Sequence, residues 1–262
     1  MNIVVCVKQV PDTWSEKKLD PGTKTLDREA ADPILNEMDE FAIEEALRII
    51  EAHGGTVTVL SMGPESATDA IRKALSMGAD AGVHVLDDAL QGSDSAGTSL
   101  ALAKAIERVG GVDLVIAGSE SSDSRTSVVP AMLAERLGMP QLTFVNKVTV
   151  EPGAGTVRVQ RITEDGYQVV EASTPAVISV VEKMNEPRYP SFKGIMAAKK
   201  KPVEEIGIGD LGLDAGQVGL AGAWTSVVDF ADRPPRSAGT VIEDNGDGGV
   251  KLVEFLAAGK FV

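Results

Sequence analysis

Short β-branched runs alternate along the chain with longer stretches in which apolar residues recur every three or four positions. The runs at 3–8, 56–61, 82–86 and 113–117 read as strands. Between the first two, Met38, Phe41, Ala42, Ala46, Ile49 and Ile50 share one helical stripe, while Glu40, Glu44, Glu45 and Arg48 fall elsewhere, which predicts an amphipathic helix. A second helix follows Pro64 with Ala67, Ala70, Ile71, Ala74 and Leu75 on its apolar face, and a third covers about 95–109. A fourth is expected to begin near Arg125 or Thr126, to carry Met132, Leu133 and Leu137, and to stop at Gly138. Strand and helix in alternation predict an α/β fold, a three-layer αβα sandwich around a mostly parallel sheet.

After Pro140 the rhythm changes. The segments 143–150, 156–162 and 168–173 alternate with a period of two, predicting antiparallel strands appended to the sheet, and 176–181 reads as one more buried strand. From Asn185 onward periodicity is sparse. Gly207, Gly209, Gly212, Gly216 and Gly219, with Pro234 and Pro235, predict a long extended C-terminal arm that runs until a short apolar helix near 250–258. Arms of that length are uncommon unless disordered or wrapped around another chain, and Leu211, Leu213, Val218, Leu220, Trp224, Val227 and Phe230 favour wrapping. The division expected is an α/β domain over 1–184, a loop over 185–201 and the arm over 202–262.

At 262 residues and 43% hydrophobic content the chain can bury one substantial core. Its formal net charge of -14 opposes non-specific binding to nucleic acid or to an anionic membrane, since a phosphate backbone would be repelled. One cysteine, Cys6, excludes an intramolecular disulfide, and two scattered histidines, His53 and His84, offer no metal-ligand spacing. No leader precedes the first strand and no apolar run approaches the ~20 residues that span a bilayer, so a soluble, cytoplasmic protein without membrane insertion is expected.

Nucleophile and metal motifs are missing: there is no Walker phosphate loop, His-Glu-x-x-His, Gly-x-Ser-x-Gly or paired-cysteine motif. Gly207-x-Gly209-x-x-Gly212 spells the dinucleotide fingerprint, but it follows a charged stretch rather than an expected strand and opens no amphipathic helix, so it reads as a decoy. A better site lies where parallel strands end, because ligands of open doubly wound sheets sit beyond the carboxyl ends of the strands. There the chain supplies Cys6, Val7 and Lys8, then Met62, Gly63 and Pro64, and then the run from Gly118 to Ser127. Glycine at a strand end lets backbone approach a ligand. Ser124, Thr126 and Ser127, beside unpaired helix amides and Arg125, form an anion site suited to phosphate. An ordinary serine-rich helix cap accounts for the same residues, and both readings stay open.

The stretch from Asn185 to Lys201 joins two prolines, the apolar Phe192, Ile195 and Met196, and the cluster Lys199, Lys200 and Lys201 on an acidic protein. It reads either as a docking loop or as a solvated lysine cluster ending a short helix. The stretch closely resembles the partner-recognition loop of electron-transfer flavoprotein beta (small) subunits. The resemblance extends, in order, through Val7-Lys8-Gln9-Val10-Pro11-Asp12, Asn36 with Asp39-Glu40, and Ala42-x-Glu44-Glu45-Ala46. It continues through Arg72-x-Ala74-Leu75-x-Met77-Gly78-Ala79-Asp80, Leu114-Val115-x-x-Gly118, Asp123 with Thr126, and Asn185-Glu186-Pro187-Arg188. These landmarks span nearly the whole chain.

The resemblance implies an adenine-nucleotide-binding sandwich in which AMP has a structural role, while the redox cofactor, FAD, belongs mainly to a separate alpha subunit. Cys6 is then expected against the adenosine, Asn36, Glu37, Met38 and Asp39 along its edge, and Met62 with Gly63 at its flank. Gly118, Ser119, Ser122, Asp123, Ser124, Arg125, Thr126, Ser127, Val128 and Val129 are expected around the phosphate. The arm is expected to clasp the alpha subunit. Phe192, where the family often has leucine, is expected to enter a pocket of an acyl-CoA dehydrogenase, with Ile195 and Met196 beside it. Such a chain carries electrons from acyl-CoA and related flavin dehydrogenases toward a quinone-linked membrane oxidoreductase, and is no enzyme by itself. The family commonly has Thr-Gly-Gln or Thr-Ala-Gln where this chain reads Thr126-Ser127-Val128, and valine cannot supply the amide's hydrogen bonds. Two alternatives to this reading are a flavin-bifurcating variant with a second FAD in place of AMP and a stand-alone nucleotide-binding regulatory protein.

Overall fold

Ile3, Val4, Val5 and Cys6 are all buried, which is possible only for a strand with apolar cover on both faces. In the computed structural model this run is β1 (Asn2–Cys6). The structure describes residues 1–232, 234–236, 239 and 241–262, and contains two compact units, Met1–Val227 and Val228–Val262. In the first unit β1 is followed by β2 (Gln9–Pro11) and β3 (Pro33–Leu35), α1 (Glu37–His53), β4 (Thr56–Met62), α2 (Thr68–Met77) and β5 (Ala81–Val85). Next come α3 (Ser95–Val109), β6 (Leu114–Gly118), α4 (Val129–Leu137), β7 (Gln141–Glu151), β8 (Thr156–Thr163), β9 (Gly166–Ser173) and β10 (Ala176–Val180). The unit is completed by α5 (Phe192–Ala198), β11 (Val203–Ile206) and the single turn α6 (Gly219–Gly222).

Nine strands form one sheet in the order β11-β5-β4-β1-β6-β10-β7-β8-β9. Pairing is parallel from β11 across to β7, and β7, β8 and β9 then fold back on one another antiparallel. Successive residues of β1 serve opposite sides. Ile3 and Val5 join Ala42, Ile43 and Leu47 of α1 and Ile71 and Leu75 of α2, whereas Val4 and Cys6 join Leu102 and Ile106 of α3 and Leu133 of α4. The expected three-layer sandwich with a mostly parallel sheet is what the chain forms. β2 and β3 make a separate small antiparallel pair that holds the ends of the 12–32 excursion together.

Three stretches differ from the sequence expectation. α4 begins at Val129, not near Arg125, because Pro130 has no N–H and its ring would strike the carbonyl four residues back, so it fits only a helix's first turn. The sparse pattern after 185 contains α5 and the edge strand β11, both too short to show a period, and β11 pairs with β5 through four residues. The Gly207–Gly212 stretch therefore does follow a strand, yet it opens only the 3-10 turn Ile208–Leu211, at the sheet edge and without the long helix that a dinucleotide site requires. In the second unit the described residues form one helix, α7 (Gly248–Ala258), with Val250, Leu252, Val253 and Phe255 exposed. Among the described residues no helix is long and apolar enough to cross a membrane.

The segment that leads to α5 is tied to α1 by a buried carboxylate. Glu44, 3% exposed, accepts from Arg188 Nε at 2.7 Å and from the Arg188 backbone N–H at 3.1 Å, and also from Arg48 Nε at 2.9 Å. Asn185 adds a donation to the Phe41 carbonyl at 3.1 Å. Burial works to raise the Glu44 carboxyl, but its arginine donors outweigh it and hold the group below the ordinary glutamate value. The attachment is then present above the unfolded pKa of about 4 and is lost as pH falls through the lower folded value. Arg188→Ala strands this carboxylate with one partner and is expected to cost about 3 kcal/mol in urea unfolding at neutral pH. The deficit should shrink as the medium is acidified below about pH 4.

Candidate functional site

The crossovers from β1 depart in opposite directions, through α1 to β4 on one side and eventually to β6 on the other, so a crevice opens beyond the carboxyl ends of β1 and β6. The backbone N–H of Lys8, just past β1, donates to Asp39 Oδ2 at 2.8 Å, and Asn36 Nδ2 donates to Asp39 Oδ1 at 2.9 Å. Asn36 reaches across to the β6 side as well, giving a proton to the Glu120 carbonyl at 3.0 Å and accepting from the Ser122 N–H at 3.1 Å. The first turn of α1 is thereby bolted to both lips.

Gly118 ends β6 at the point of closest approach. A Cβ there would lie 2.5 Å from Asp39 Oδ1 and 2.8 Å from Met38 Cγ, so only glycine fits without displacing α1. Asp39 is 5% exposed. Burial pushes its carboxyl up to about 7, against the hydrogen bonds it accepts from Asn36, Lys8 and Gly118. Cys6 at the end of β1 is likewise buried, and burial, with Asp39 adding to it, raises the thiol to about 12, leaving an inert apolar side chain.

Opposite α1 stands a charged cluster. Asp123, whose side chain is 2% exposed, meets Lys8 Nζ at 2.8 Å through Oδ1 and Arg28 Nη2 at 3.2 Å through Oδ2. Lys8 Nζ also donates to Ser121 Oγ at 3.2 Å, and Ser121 Oγ lies 2.9 Å from Ser124 Oγ. Burial acts to raise the Asp123 carboxyl, but the Lys8 charge and hydrogen bond, with Ser121 and Arg28, hold it below the ordinary aspartate value. Two cations thus meet on one carboxylate in a chain of net charge -14. The Ser122 hydroxyl is buried without a hydrogen-bond partner among the described residues.

The remaining expected residues are distributed around this center. Met62 ends β4 with Gly63 just beyond it, and that lip is stitched to β2 by Gln9, whose Nε2 donates to the Ser66 carbonyl at 2.6 Å while its Oε1 accepts from Ser66 Oγ at 2.8 Å. Beneath it, buried His84 sets Nε2 3.1 Å from the Gly63 carbonyl. Ser119 is buried, with its N–H donating to the Val180 carbonyl, and Glu37 is exposed in the first turn of α1. Ser124, Arg125, Thr126, Ser127 and Val128 form a loop ahead of α4 and not its first turn. Arg125 (φ 49°) and Ser127 (φ 55°) are left-handed, Ser127 Oγ donates to Glu120 Oε2 at 2.9 Å, and Ser124, Arg125, Thr126 and Val128 are exposed. Val129 is half-buried as the first helical residue. Lys8 as an ion-pair partner, Arg28, Gln9 and His84 escape sequence reasoning. Arg28 comes from the irregular 12–32 excursion, and nothing local says that it folds back to Asp123.

Phe192, Ile195 and Met196 lie together on α5, 81%, 45% and 49% exposed, and Lys199 and Lys200 are exposed just beyond. Lys201 turns the other way: its Nζ donates to the Leu75, Gly78 and Ala79 carbonyls at 3.1, 3.2 and 2.5 Å. Among the described residues no cluster of His, Cys, Asp and Glu has the geometry of a metal site.

Sheet order and a polar crevice at the switch point define a doubly wound α/β protein. The sequence model of the electron transfer flavoprotein domain matches residues 23–211. The electron transfer flavoprotein subunit beta of Mycobacterium leprae is 53% identical and that of Mycobacterium bovis 52%, each alignment covering 100% of this chain and 99% of the relative. The caffeyl-CoA reductase-Etf complex subunit CarD of Acetobacterium woodii is 40% identical over 92% of both chains. The chain belongs to the electron transfer flavoprotein beta-subunit family, a family of electron-carrier subunits.

Two outcomes test the crevice. Gly118→Ala is expected to destabilize the protein by about 2 kcal/mol or more in urea unfolding, since the added methyl meets a buried carboxylate and not a yielding surface. Asp39, raised when folded, contributes stability that is complete below its unfolded pKa of about 4 and is lost as pH rises through about 7. Asp39→Asn removes that dependence, so its cost should be larger at about pH 5.5 than at about pH 8.

Proposed function

We propose that this chain is the beta half of a heterodimeric electron carrier, that it holds AMP as a structural ligand in the crevice beyond β1 and β6, and that FAD is held mainly by an alpha subunit at their shared interface. The observation that supports the nucleotide reading is the cationic, hydroxyl-rich cluster at the switch point, with a buried Ser122 Oγ that has no hydrogen-bond partner among the described residues. The residues fit a phosphate ester: Lys8, Arg28 and Arg125 for charge, Ser122, Ser124 and Thr126 for hydrogen bonds, and Gly118 and Gly63 where backbone must come close. Asn36, Glu37, Met38 and Asp39 with Cys6 and Met62 would line the base and sugar. With Ser127 and Val128 in place of the family's amide-bearing pair, backbone N–H groups of the 119–129 loop would carry more of the phosphate contact.

The flavin, when bound, supplies the redox chemistry. This chain's part is placement. The second unit, with its exposed Val250, Leu252, Val253 and Phe255, is suited to burial against the alpha subunit. Phe192, Ile195 and Met196 form an apolar knob on a short helix, flanked by Lys199 and Lys200, which suits a pocket on an acyl-CoA dehydrogenase or a related flavin dehydrogenase. Electrons would pass on to a quinone-linked membrane acceptor, and a lone buried cysteine is compatible with the cytoplasm.

Heat extraction of the purified heterodimer should release AMP as the nucleotide of this chain, alongside the FAD of its partner. A second equivalent of FAD and no AMP would replace this reading with the flavin-bifurcating one. A stable flavin-free homodimer from expression of the chain alone would favor a regulatory protein. Phe192→Ala in the heterodimer should raise the apparent KM for an acyl-CoA dehydrogenase by about tenfold, the scale of one interface hot spot, with flavin content unchanged.

A further inference from the structure

α5 is seven residues long, too short to hold its own shape in water, and it displays three large apolar side chains on its outer side. Something else must fix it. Arg72, on the second turn of the neighboring α2, donates through Nη1 to the Ala198 carbonyl at 2.8 Å and the Lys201 carbonyl at 2.9 Å, which closes the carboxyl end of α5. Lys201, just after α5, returns the favor by donating to the Leu75, Gly78 and Ala79 carbonyls at the carboxyl end of α2. α5 thus receives its terminal cation from α2, and α2 receives its own from the segment that follows α5, where carbonyls lack intrahelical partners and the helix dipole is negative. Between the two clasps the helices touch closely. A Cβ on Gly194 would lie 2.5 Å from the Ser76 carbonyl oxygen, and Ala198 is 3% exposed in the α1–α2 side of the core.

We infer that Arg72 and Lys201 are positioning residues for partner recognition: their exchanged caps set α5 on α2 so that Phe192, Ile195 and Met196 face outward as one rigid knob. The inference rests on the docking role proposed for that knob, and it moves Lys201 from the partner surface to the support behind it. A flexible 192–198 segment would still carry the same side chains, but each encounter with a dehydrogenase would have to order it, so affinity falls while the rate at saturation stays.

The test uses the assembled heterodimer with Arg72→Gln, Lys201→Gln, Arg72→Lys and Phe192→Ala, assayed for reduction by an acyl-CoA dehydrogenase. Arg72→Gln and Lys201→Gln should each raise the apparent KM for the dehydrogenase about tenfold with kcat and flavin content kept. Arg72→Lys, which retains a single cationic donor for both carbonyls, should stay within about threefold of the parent. Hydrogen exchange should show the 194–198 amides opening faster in both glutamine variants while those of α2 keep their protection. Unchanged KM and unchanged exchange in the glutamine variants, with Phe192→Ala impaired, would overturn the inference and leave the docking reading standing. If Phe192→Ala is also silent, the docking reading itself fails. Should Arg72→Gln not assemble, Lys201→Gln alone decides by the same two readouts.

Discussion

β1 pairs in parallel with β4 on one side and β6 on the other, and the rest of the site follows from that central placement. Because the crossovers leave in opposite directions, no helix can cover the carboxyl ends of β1 and β6, and backbone polar groups there must find side chains or a ligand. The first turn of α1 answers part of that need through Asn36 and Asp39, which hold the Lys8 N–H, the Glu120 carbonyl and the Ser122 N–H in one network. The approach is close enough that position 118 admits no side chain.

Charge is arranged against the overall balance of the molecule. A chain of net charge -14 concentrates Lys8 and Arg28 around one nearly inaccessible carboxylate, Asp123, while Asp39 across the crevice is held near neutrality by burial. The two aspartates lie on facing walls, yet their surroundings drive them in opposite directions. Cations dominate at Asp123 and desolvation dominates at Asp39. The result is that two cations, Lys8 and Arg28, are gathered at the crevice of a chain whose overall charge repels polyanions.

α2 joins the crevice to α5. Its amino end follows the Met62–Gly63 lip of the crevice, and farther along it carries α5 through Arg72 and Lys201. α1 plays a parallel part, with Asn36 and Asp39 in the crevice at one end and Glu44 gripping Arg188 one and a half turns on. Both helices of one layer thus serve the crevice at their starts and the 185–201 segment farther along. The sandwich is thereby a common frame that holds the crevice and the exposed face of α5 together.

The sequence by itself determined the class of fold, because uniformly buried runs such as Ile3–Val5 and three- and four-residue stripes such as Ala42, Ala46 and Ile49 are local consequences of burial on two faces or on one. It also determined the family, through ordered landmarks from Val7 to Arg188, and placed Gly118 at a strand end where backbone comes close to α1. The start of α4 was expected near Arg125, although Pro130, whose ring allows only a first-turn position, carried the signal for the later start. Tertiary structure alone decided that Arg28 turns back to Asp123, that four residues after Pro202 complete the sheet, and that Lys201 faces α2 while Lys199 and Lys200 face water. Those outcomes depend on partners 95 to 126 positions away, and no periodicity within a short segment encodes which distant carboxylate or helix end a flexible cation will reach.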